Sequence, residues 1–506
     1  MAAGTARLLP APGPGSRADG ERELTGGFAR WAAQRPDRAA LVCDGGSRTF
    51  EQLETRHARI AGLLASLGVG RGDRIAVLSV NSIEMLEVTT GALRAGVVPV
   101  PVSPLLTPPE IDYLCDDSGA VVLFADRDVA GLPARDCVRF GEDLERRIER
   151  ARPLDVSEVA LTRPMHYTSG TTGRPKGVWV PPQSEAEATR RSSEFRAAWG
   201  LGDDEVHLVC SPLTHSAPHR YSLRTLEAGG TVVVQRKFDA RATLRTIGAH
   251  GVTSTFMVPT HVERILQTGR AAIEAADLST MRTLCHAGAP IRETTKRALI
   301  DAFPPGSVWE FYGSTEGGFT RISAREWLER PGSVGRPPDG AELIVTEPED
   351  RARVLGRNEV GQIWVRDPVA ERFEYWGAPA KTAEAWRGDA YSVGDLGSVD
   401  PDGYLWLAGR KHDVIISGGV NVYPQEVEHT LLEHPDVAET VVVGAAHDEW
   451  GQQVRALIVA APGSSPDPEA LRAWARERLA GYKCPRVVEL VESLPRTTTG
   501  KLRRRF

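Results

Sequence analysis

Short apolar runs alternate with amphipathic helical segments along the first 290 or so residues, and this alternation constrains the fold more than any other feature of the chain. Between the runs, apolar residues recur at the helical period, as Leu53, Ile60, Leu63 and Leu64 do in the segment 49–67. The runs of strand length lie at 39–43, 74–80, 97–102, 120–125, 206–210, 231–234, 254–258 and 282–287. This spacing predicts an α/β fold with two doubly wound, mainly parallel sheets.

The pattern changes twice further along the chain. Short β-rich pieces at 342–345 and 362–365, separated by Pro and Gly, predict a small antiparallel, β-barrel-like unit. A compact α+β rhythm of strands and helices begins at residue 414. We therefore predict four parts, namely a flexible N-terminus (1–24), a large N-terminal domain (25–408), a hinge (409–413) and a mobile C-terminal domain (414–506).

Composition excludes several classes of protein. The 61 Lys and Arg residues against 67 Asp and Glu residues give a net charge of −6, so no nucleic-acid partner is expected. The six cysteines are scattered without metal-ligand spacing, which is typical of reduced thiols in a cytoplasmic protein. We expect neither a signal peptide nor a membrane span.

One stretch has the composition of a phosphate-binding loop. Residues 167–177 read Tyr-Thr-Ser-Gly-Thr-Thr-Gly-Arg-Pro-Lys-Gly, which combines hydroxyl side chains, glycines that let backbone N–H groups approach an anion, and a lysine. The Walker spacing is absent, because Lys176 follows a proline and precedes a glycine. The candidate phosphate contacts are Thr168, Ser169, Gly170, Thr171, Thr172, Gly173 and Lys176.

This loop resembles the signature of the adenylate-forming (AMP-binding) superfamily, which includes acyl-CoA synthetases, adenylation domains and luciferases. Two further motifs strengthen the resemblance. The turn Gly288, Ala289 and Pro290 stands where the family packs the adenine ring. The run 311–316 resembles Tyr-Gly-x-Thr-Glu, and the resemblance implies that Tyr312 flanks the adenine, Thr315 contacts phosphate and Glu316 helps to hold Mg²⁺, with Gly313 also in the nucleotide site.

Motifs nearer the C-terminus continue the resemblance. Asp395, in Tyr-Ser-Val-Gly-Asp, corresponds to the family's ribose-binding aspartate, and Arg410 to an arginine that reaches ribose and phosphate. The hinge position, usually Asp or Lys, is His412 here. Lys501, in Pro-Arg-Thr-Thr-Thr-Gly-Lys, corresponds to the lysine that bridges the substrate carboxylate and the α-phosphate.

The acceptor and the acid are less well specified. Tyr482, Lys483 and Arg486 lie where CoA ligases place residues near the CoA nucleotide. The resemblance places the acid pocket at the segments 212–220 and 256–259 and the turn at Gly313, with His215 and Met257 among its candidates. For His219 and Arg220, contact with a polar substrate and a solvated helix start are equal alternatives.

The resemblance implies a two-step enzyme. Attack of a substrate oxyanion on the α-phosphate of MgATP would release pyrophosphate and form an adenylate, with Lys176, Thr315, Glu316 and Lys501 as the catalytic set. The preferred second step is transfer to coenzyme A, as in an acyl- or aryl-CoA synthetase. The alternatives for the second step are loading of a carrier protein and activation of nitrite for diazotisation of an aromatic amine. A third class, a non-catalytic binding protein, is disfavoured because the motif residues are all present.

Overall fold

The computed structural model describes residues 27–129, 136–168, 175–368, 370–417, 420–447 and 449–496, together with Leu502 and Arg504. The signature-loop residues Ser169, Gly170, Thr171, Thr172 and Gly173, the predicted flexible segment 1–24 and Lys501 lie outside these ranges. Within them, no helix is long and apolar enough to cross a membrane.

Helices occur throughout the described chain. The α-helices are α1 (Phe28–Gln34), α2 (Phe50–Ser66), α3 (Ile83–Arg94), α4 (Pro108–Ser118), α5 (Glu142–Arg150), α6 (Glu185–Trp199), α7 (Ser216–Glu227), α8 (Ala240–His250), α9 (Pro259–Leu266), α10 (Arg270–Glu274), α11 (Glu293–Ala302), α12 (Ala324–Glu329), α13 (Pro379–Ala385), α14 (Pro424–Leu432) and α15 (Pro468–Arg478). Short 3₁₀ turns lie at Lys411–Asp413 and Gly481–Lys483. Local sequence explains several starts: Thr49 caps α2 through a reciprocal capping box with Gln52, and Pro424 opens α14.

Strands occupy the positions between these helices. The first half of the chain contains β1 (Ala39–Cys43), β2 (Gly46–Thr49), β3 (Arg74–Leu78), β4 (Val98–Val102), β5 (Ala120–Ala125), β6 (Asp136–Arg139), β7 (His166–Thr168), β8 (Lys176–Trp179), β9 (Val206–Val209), β10 (Thr231–Val234) and β11 (Ser254–Met257). The second half contains β12 (Thr283–His286), β13 (Val308–Gly313), β14 (Gly318–Ser323), β15 (Glu342–Thr346), β16 (Gly361–Arg366), β17 (Glu374–Tyr375), β18 (Trp386–Arg387), β19 (Ala390–Tyr391), β20 (Asp395–Val399), β21 (Leu405–Arg410), β22 (Ile415–Ser417), β23 (Val420–Val422), β24 (Val437–His447), β25 (Gly451–Ala460) and β26 (Val487–Leu490).

The predicted pair of mainly parallel sheets is confirmed. One sheet has the order β4-β3-β5-β6 and is parallel throughout. The other has the order β14-β13-β12-β11-β9-β10-β1-β2, with antiparallel strands at its two edges. Their cores consist of buried hydrophobic side chains, mostly aliphatic, that the helices cover. The prediction did not anticipate that β1 pairs with β10 in the eight-stranded sheet, although β1 precedes the strands of the four-stranded sheet in the sequence.

Three smaller sheets complete the fold. The strands β17-β8-β7 form an antiparallel ribbon, and β7 and β8 flank the signature loop. The strands β15, β16 and β18 to β21 form the antiparallel unit that the sequence predicts after residue 335. The C-terminal sheet, β23-β22-β25-β24 with β26 beside β25, packs against α14 and α15 around a separate core.

Candidate active site

The family motifs that the structure describes come together in one cleft. Its walls include β7 and β8, the carboxyl end of β13, the segment from β20 to β21, and α14 of the C-terminal part. Motif residues that are far apart in the sequence, such as Thr168 and Asp395, therefore line the same cleft. Parallel strands bring their carboxyl ends to the same sheet edge, which is where α/β folds place their ligands.

Asp395 lies at the centre of a polar unit at one end of the cleft. Arg410 Nε is 2.9 Å from Asp395 Oδ1, and the Tyr312 hydroxyl donates a hydrogen bond to Asp395 Oδ2. Asp395 and Arg410 are direct partners across the antiparallel pair β20 and β21, so the strand register sets their contact. Burial raises the pKa of Asp395, while Arg410 and the Tyr312 hydrogen bond act to lower it. The unit offers a carboxylate, a phenol and a guanidinium to a polar ligand.

The small-residue turn lines the same cleft. Gly288, Ala289 and Pro290 follow β12, line the cleft and are exposed. Gly288 has a φ of +91°, in the left-handed region that favours glycine. A flat group can therefore approach the backbone here without meeting a large side chain.

Thr315 and Glu316 occupy the tight turn between β13 and β14. The turn is closed by a 2.8 Å hydrogen bond from the Ser314 N–H to the Gly317 carbonyl. Arg163 donates to the carbonyls of Thr315 and Glu316 at 3.1 and 3.2 Å. The motif backbone is thus held both by the hydrogen bond within the turn and by the Arg163 side chain.

Glu316 is oriented by a residue that the sequence did not single out. The Tyr375 hydroxyl donates to Glu316 Oε1 at 2.8 Å, and the Glu316 side chain lines the cleft. No cluster of three metal-binding side chains is found in the described ranges. A single oriented carboxylate fits Mg²⁺, which binds proteins through one or two carboxylates and takes its other ligands from phosphates and water.

Lys176 stands at the start of β8, opposite Thr168 of β7. Burial, followed by the neighbouring Lys381 of α13, lowers the pKa of Lys176 to about 8. Lys381 comes close because β17, which leads into α13, pairs with β8. Both lysines line the cleft. No short motif marks Lys381 or Tyr375, so only the pairing of β17 with β8 reveals them.

The acid pocket differs from the prediction at two positions. Met257 is completely buried in the core of the eight-stranded sheet and does not line the cleft, whereas its neighbours Phe256 and Val258 do. Side chains alternate between the faces of a strand, so the prediction selected the wrong face of β11. His219 is also buried: its Nε2 lies 3.0 Å from Thr89 Oγ1, and it lines a small cavity behind the cleft.

The other predicted pocket residues do face the cleft. His215 is exposed at the start of α7, Arg220 lies one turn further along, and Gly313 ends β13. An aromatic wall stands beside them, and of its members the sequence analysis placed only Phe256, in the segment 256–259, at the pocket. Its rings lie 5.4 to 6.4 Å apart and belong to Phe195, Trp199, Tyr221, Phe256 and Phe311.

The predicted CoA contacts do not converge in this conformation. Lys483 lines the cleft and its Nζ lies 2.6 Å from Glu426 Oε1. Tyr482 is exposed, and Arg486 stacks on Trp450, 3.4 Å from the ring centroid. Cys484, between them, is a buried thiol that donates to backbone carbonyls.

The predicted hinge contacts both parts of the chain through the residues on either side of His412. His412 lies exposed in the 3₁₀ turn after β21. Its neighbour Lys411 donates to the Pro348 carbonyl of the N-terminal part, and Asp413 lies 3.6 Å from Arg504 at the C-terminus. The turn therefore connects the two parts through its flanking charges.

Comparison with known proteins agrees with this geometry. The family model described as "AMP-binding enzyme" matches residues 28–373, and "AMP-binding enzyme C-terminal domain" matches residues 426–501. A feruloyl-CoA synthase from Amycolatopsis sp is 36% identical over 95% of this chain and 99% of its own. The fatty acid–[acyl-carrier-protein] ligase ScoC from Streptomyces coeruleorubidus is 34% identical over 94% and 93%.

A solved structure also superposes on the whole fold. The o-succinylbenzoate CoA synthetase from Bacillus subtilis, in complex with the acyl-adenylate intermediate OSB-AMP, matches with a TM-score of 0.82 and 27% identity, over 94% of this chain and 96% of that one. The chain therefore belongs to the adenylate-forming, AMP-binding enzyme family and is an AMP-forming ligase.

Proposed function

We propose that this protein activates a carboxylic acid with MgATP and transfers the acyl group to coenzyme A. The observation that carries the proposal is the Tyr312, Asp395 and Arg410 unit, which shares one cleft with Glu316 and Lys176. A nucleotide needs this combination, because its ribose and its phosphates require different partners. The relatives support it, since a CoA synthase and a CoA synthetase in complex with an acyl adenylate are among them.

The first step forms the adenylate. A carboxylate oxygen of the acid attacks the α-phosphorus of ATP, and the bond to the pyrophosphate oxygen breaks. Asp395 accepts hydrogen bonds from the ribose hydroxyls, Gly288, Ala289 and Pro290 pack against the adenine, and Lys176 with the signature loop holds the phosphates. Glu316 would hold Mg²⁺, which supplies charge neutralisation on the phosphates. Lys501 neutralises the charge that builds up during the attack.

The second step transfers the acyl group. We propose that residues 414–506 rotate about the hinge 409–413, so that the adenylate carbonyl is open to a thiolate. Its sulfur bonds to the carbonyl carbon and AMP leaves with the bonding electrons. Tyr482, Lys483 and Arg486 are the candidate contacts for the CoA nucleotide. The relative ScoC, a fatty acid–[acyl-carrier-protein] ligase, supports a carrier-protein thiol as the second candidate acceptor.

The acid itself is proposed to be aromatic or apolar over most of its length. The wall of Phe195, Trp199, Tyr221, Phe256 and Phe311 offers ring faces and edges but few polar groups. The relatives above lend no support to nitrite, which stays a prediction.

The test is release of pyrophosphate and AMP from MgATP, scanned over fatty, aromatic and amino acids, with and without CoA. We expect release that depends on an aromatic or apolar acid, and an acyl-CoA product. In parallel, nitrite with aromatic amines is scanned under the same conditions. Formation of ADP, or release that depends on nitrite alone, would contradict the proposed reaction.

A further inference from the structure

Arginines converge on a small cavity behind the acid pocket. The cavity lies between α7 and the segment that precedes β7, and it adjoins the main cleft, with which it shares Arg163, Arg220, Arg224 and Glu371 as lining residues. Thr315, in the turn between β13 and β14, also borders it. The cavity is therefore adjacent to the candidate reaction centre.

Most of these arginines have an acidic partner. Arg163 Nε lies 3.4 Å from Glu371 Oε2, and Arg191 pairs with the other oxygen of the same carboxylate. Arg224 Nη1 lies 2.5 Å from Glu227 Oε2. Burial acts to raise the pKa of Glu371, but the surrounding arginines outweigh it and lower that pKa below its usual range.

Arg220 is the exception. No hydrogen bond or ion pair joins its guanidinium to any residue in the described part of the chain, although it lines both the cavity and the cleft. Burial, reinforced by Arg163 and Arg224, lowers its pKa to about 10, so it stays charged at neutral pH. Four guanidinium groups thus face two carboxylates, Glu371 and Glu227, and the region carries excess positive charge.

Buried donors without hydrogen-bond partners in the described part of the chain complete the lining. His166 is 6% exposed, and its Nε2 has no hydrogen-bond partner among the described residues. Nη2 of Arg163 is likewise buried without a hydrogen-bond partner in that part of the chain. Burial first, and then the neighbouring His219, His215, Arg163 and Arg220, lowers the pKa of His166 well below its usual value, so the ring is neutral and can donate one N–H. Buried donors without partners and uncompensated positive charge are both unfavourable, and one bound anion would relieve both.

We propose that this cavity is a subsite for a compact oxyanion with two oxygens, such as a carboxylate, held by the guanidinium fork of Arg220 with Arg163 and His166. The planar guanidinium matches the geometry of a carboxylate better than an ammonium group does. Resting on the proposed function, the occupant is a second, non-reacting carboxylate of the acid substrate or a separate small oxyanion of the same shape. Both sources share this chemistry.

The first experiment measures binding without ATP, so it does not depend on the proposed reaction. Formate, acetate and nitrite are titrated against the protein at constant ionic strength, with chloride as the reference anion, and the melting temperature is followed. The wild type should show a saturable rise with the oxyanions that exceeds the chloride response. Arg220→Gln should weaken the apparent affinity at least about tenfold, because a charge-assisted hydrogen-bond pair is lost.

Arg190→Gln is the matched control. Arg190 precedes Arg191 on α6 but points outward, where it pairs with Glu194. Its titration should match that of the wild type. Arg220→Lys keeps the positive charge but lacks the two-pronged guanidinium group, so we expect it to weaken binding severalfold. It replaces Arg220→Gln in the titration if Arg220→Gln does not fold. Equal affinity in the wild type and the folded Arg220 variants, or a wild-type response no greater than that to chloride, would overturn the subsite.

The second experiment separates the two sources. Pyrophosphate release is compared for dicarboxylic acids and their monocarboxylic analogues, each with and without added formate or nitrite. A preference for diacids that Arg220→Gln abolishes assigns the subsite to the substrate. Stimulation by the free oxyanion that the same variant abolishes assigns it to a separate ligand. If no acid supports release in the wild type, the proposed function fails, and the binding titration still decides the subsite.

Discussion

Asp395 and Arg410 are held 2.9 Å apart because they face each other in neighbouring antiparallel strands. Tyr312 reaches the same carboxylate from β13 of the large sheet. The proposed ribose site thus lies where two sheets meet, and Asp395 joins the Tyr312 hydroxyl to the Arg410 guanidinium. Loss of one member should therefore disturb nucleotide binding more than loss of a single contact.

We expect Asp395→Asn to raise the KM for ATP about tenfold or more, because charge-assisted hydrogen bonds to the ribose and to Arg410 are lost together. Steady-state kinetics of pyrophosphate release measure this. Asp389→Asn, at an exposed carboxylate that pairs with Arg366, is the control and should leave the KM unchanged. An unaltered KM in Asp395→Asn would rule out the ribose assignment.

Glu316→Gln should shift the Mg²⁺ titration of activity to concentrations at least about tenfold higher, because the oriented carboxylate is lost. Tyr375→Phe removes only the hydroxyl that orients it, and we expect a smaller shift in the same direction. Glu374→Gln, exposed on the same strand, serves as the control. A wild-type Mg²⁺ response in Glu316→Gln would refute the metal role.

Lys501→Ala is expected to suppress adenylate formation while ATP binding stays largely intact, since Lys501 is assigned to charge that develops during attack. Single-turnover formation of the adenylate and equilibrium binding of ATP distinguish the two effects. The exposed Lys237→Ala is a control for the loss of one positive charge. Adenylation at the wild-type rate in Lys501→Ala would remove the residue from the mechanism.

The pH profile of kcat/KM for ATP should report Lys176. The ammonium form binds phosphate, and the pKa of about 8 means that this form is lost as pH rises through 8. Lys381→Met removes a neighbouring positive charge and raises the pKa of Lys176 towards its usual value. The alkaline fall of kcat/KM should therefore move to higher pH. A fall at the same pH in Lys381→Met would show that the two lysines are not coupled.

Met257 and Phe256 lie on opposite faces of β11, so we expect substitutions at these adjacent residues to have different effects. Met257→Ala should lower the free energy of unfolding by about 2–5 kcal/mol, because it opens a cavity in a packed core, with little change in acid preference. Phe256→Ala should instead raise the KM for an aromatic acid, since it removes part of the pocket wall. Denaturant unfolding and an acid panel test both. The reverse pattern would place Met257, not Phe256, in the pocket.

Much of this molecule can be predicted from short windows of sequence. The alternation of strands and helices gave the two parallel sheets, since hydrophobic period and capping act within a few residues. The N-cap at Thr49 and the helix start at Pro424 are examples. The nucleotide motifs could be recognised for the same reason, because each is a contiguous run whose residue types fit its ligand.

Tertiary structure decided what depends on distant partners. Three such contacts join segments that are far apart in the sequence, and no short motif predicts them. They are the pairing of β1 with β10, the contact of Tyr375 with Glu316, and the cluster of Arg163, Arg191, Arg220 and Arg224. The orientation of the side chains of β11, with one face towards the cleft and the other towards the core, is a less obvious case. Both faces of a buried parallel strand are apolar, so the sequence does not tell which one lines the cleft, and packing of the whole sheet sets it. The sequence by itself thus determined the fold class and the nucleotide chemistry, whereas the acid pocket and the proposed anion subsite form only when distant segments pack together.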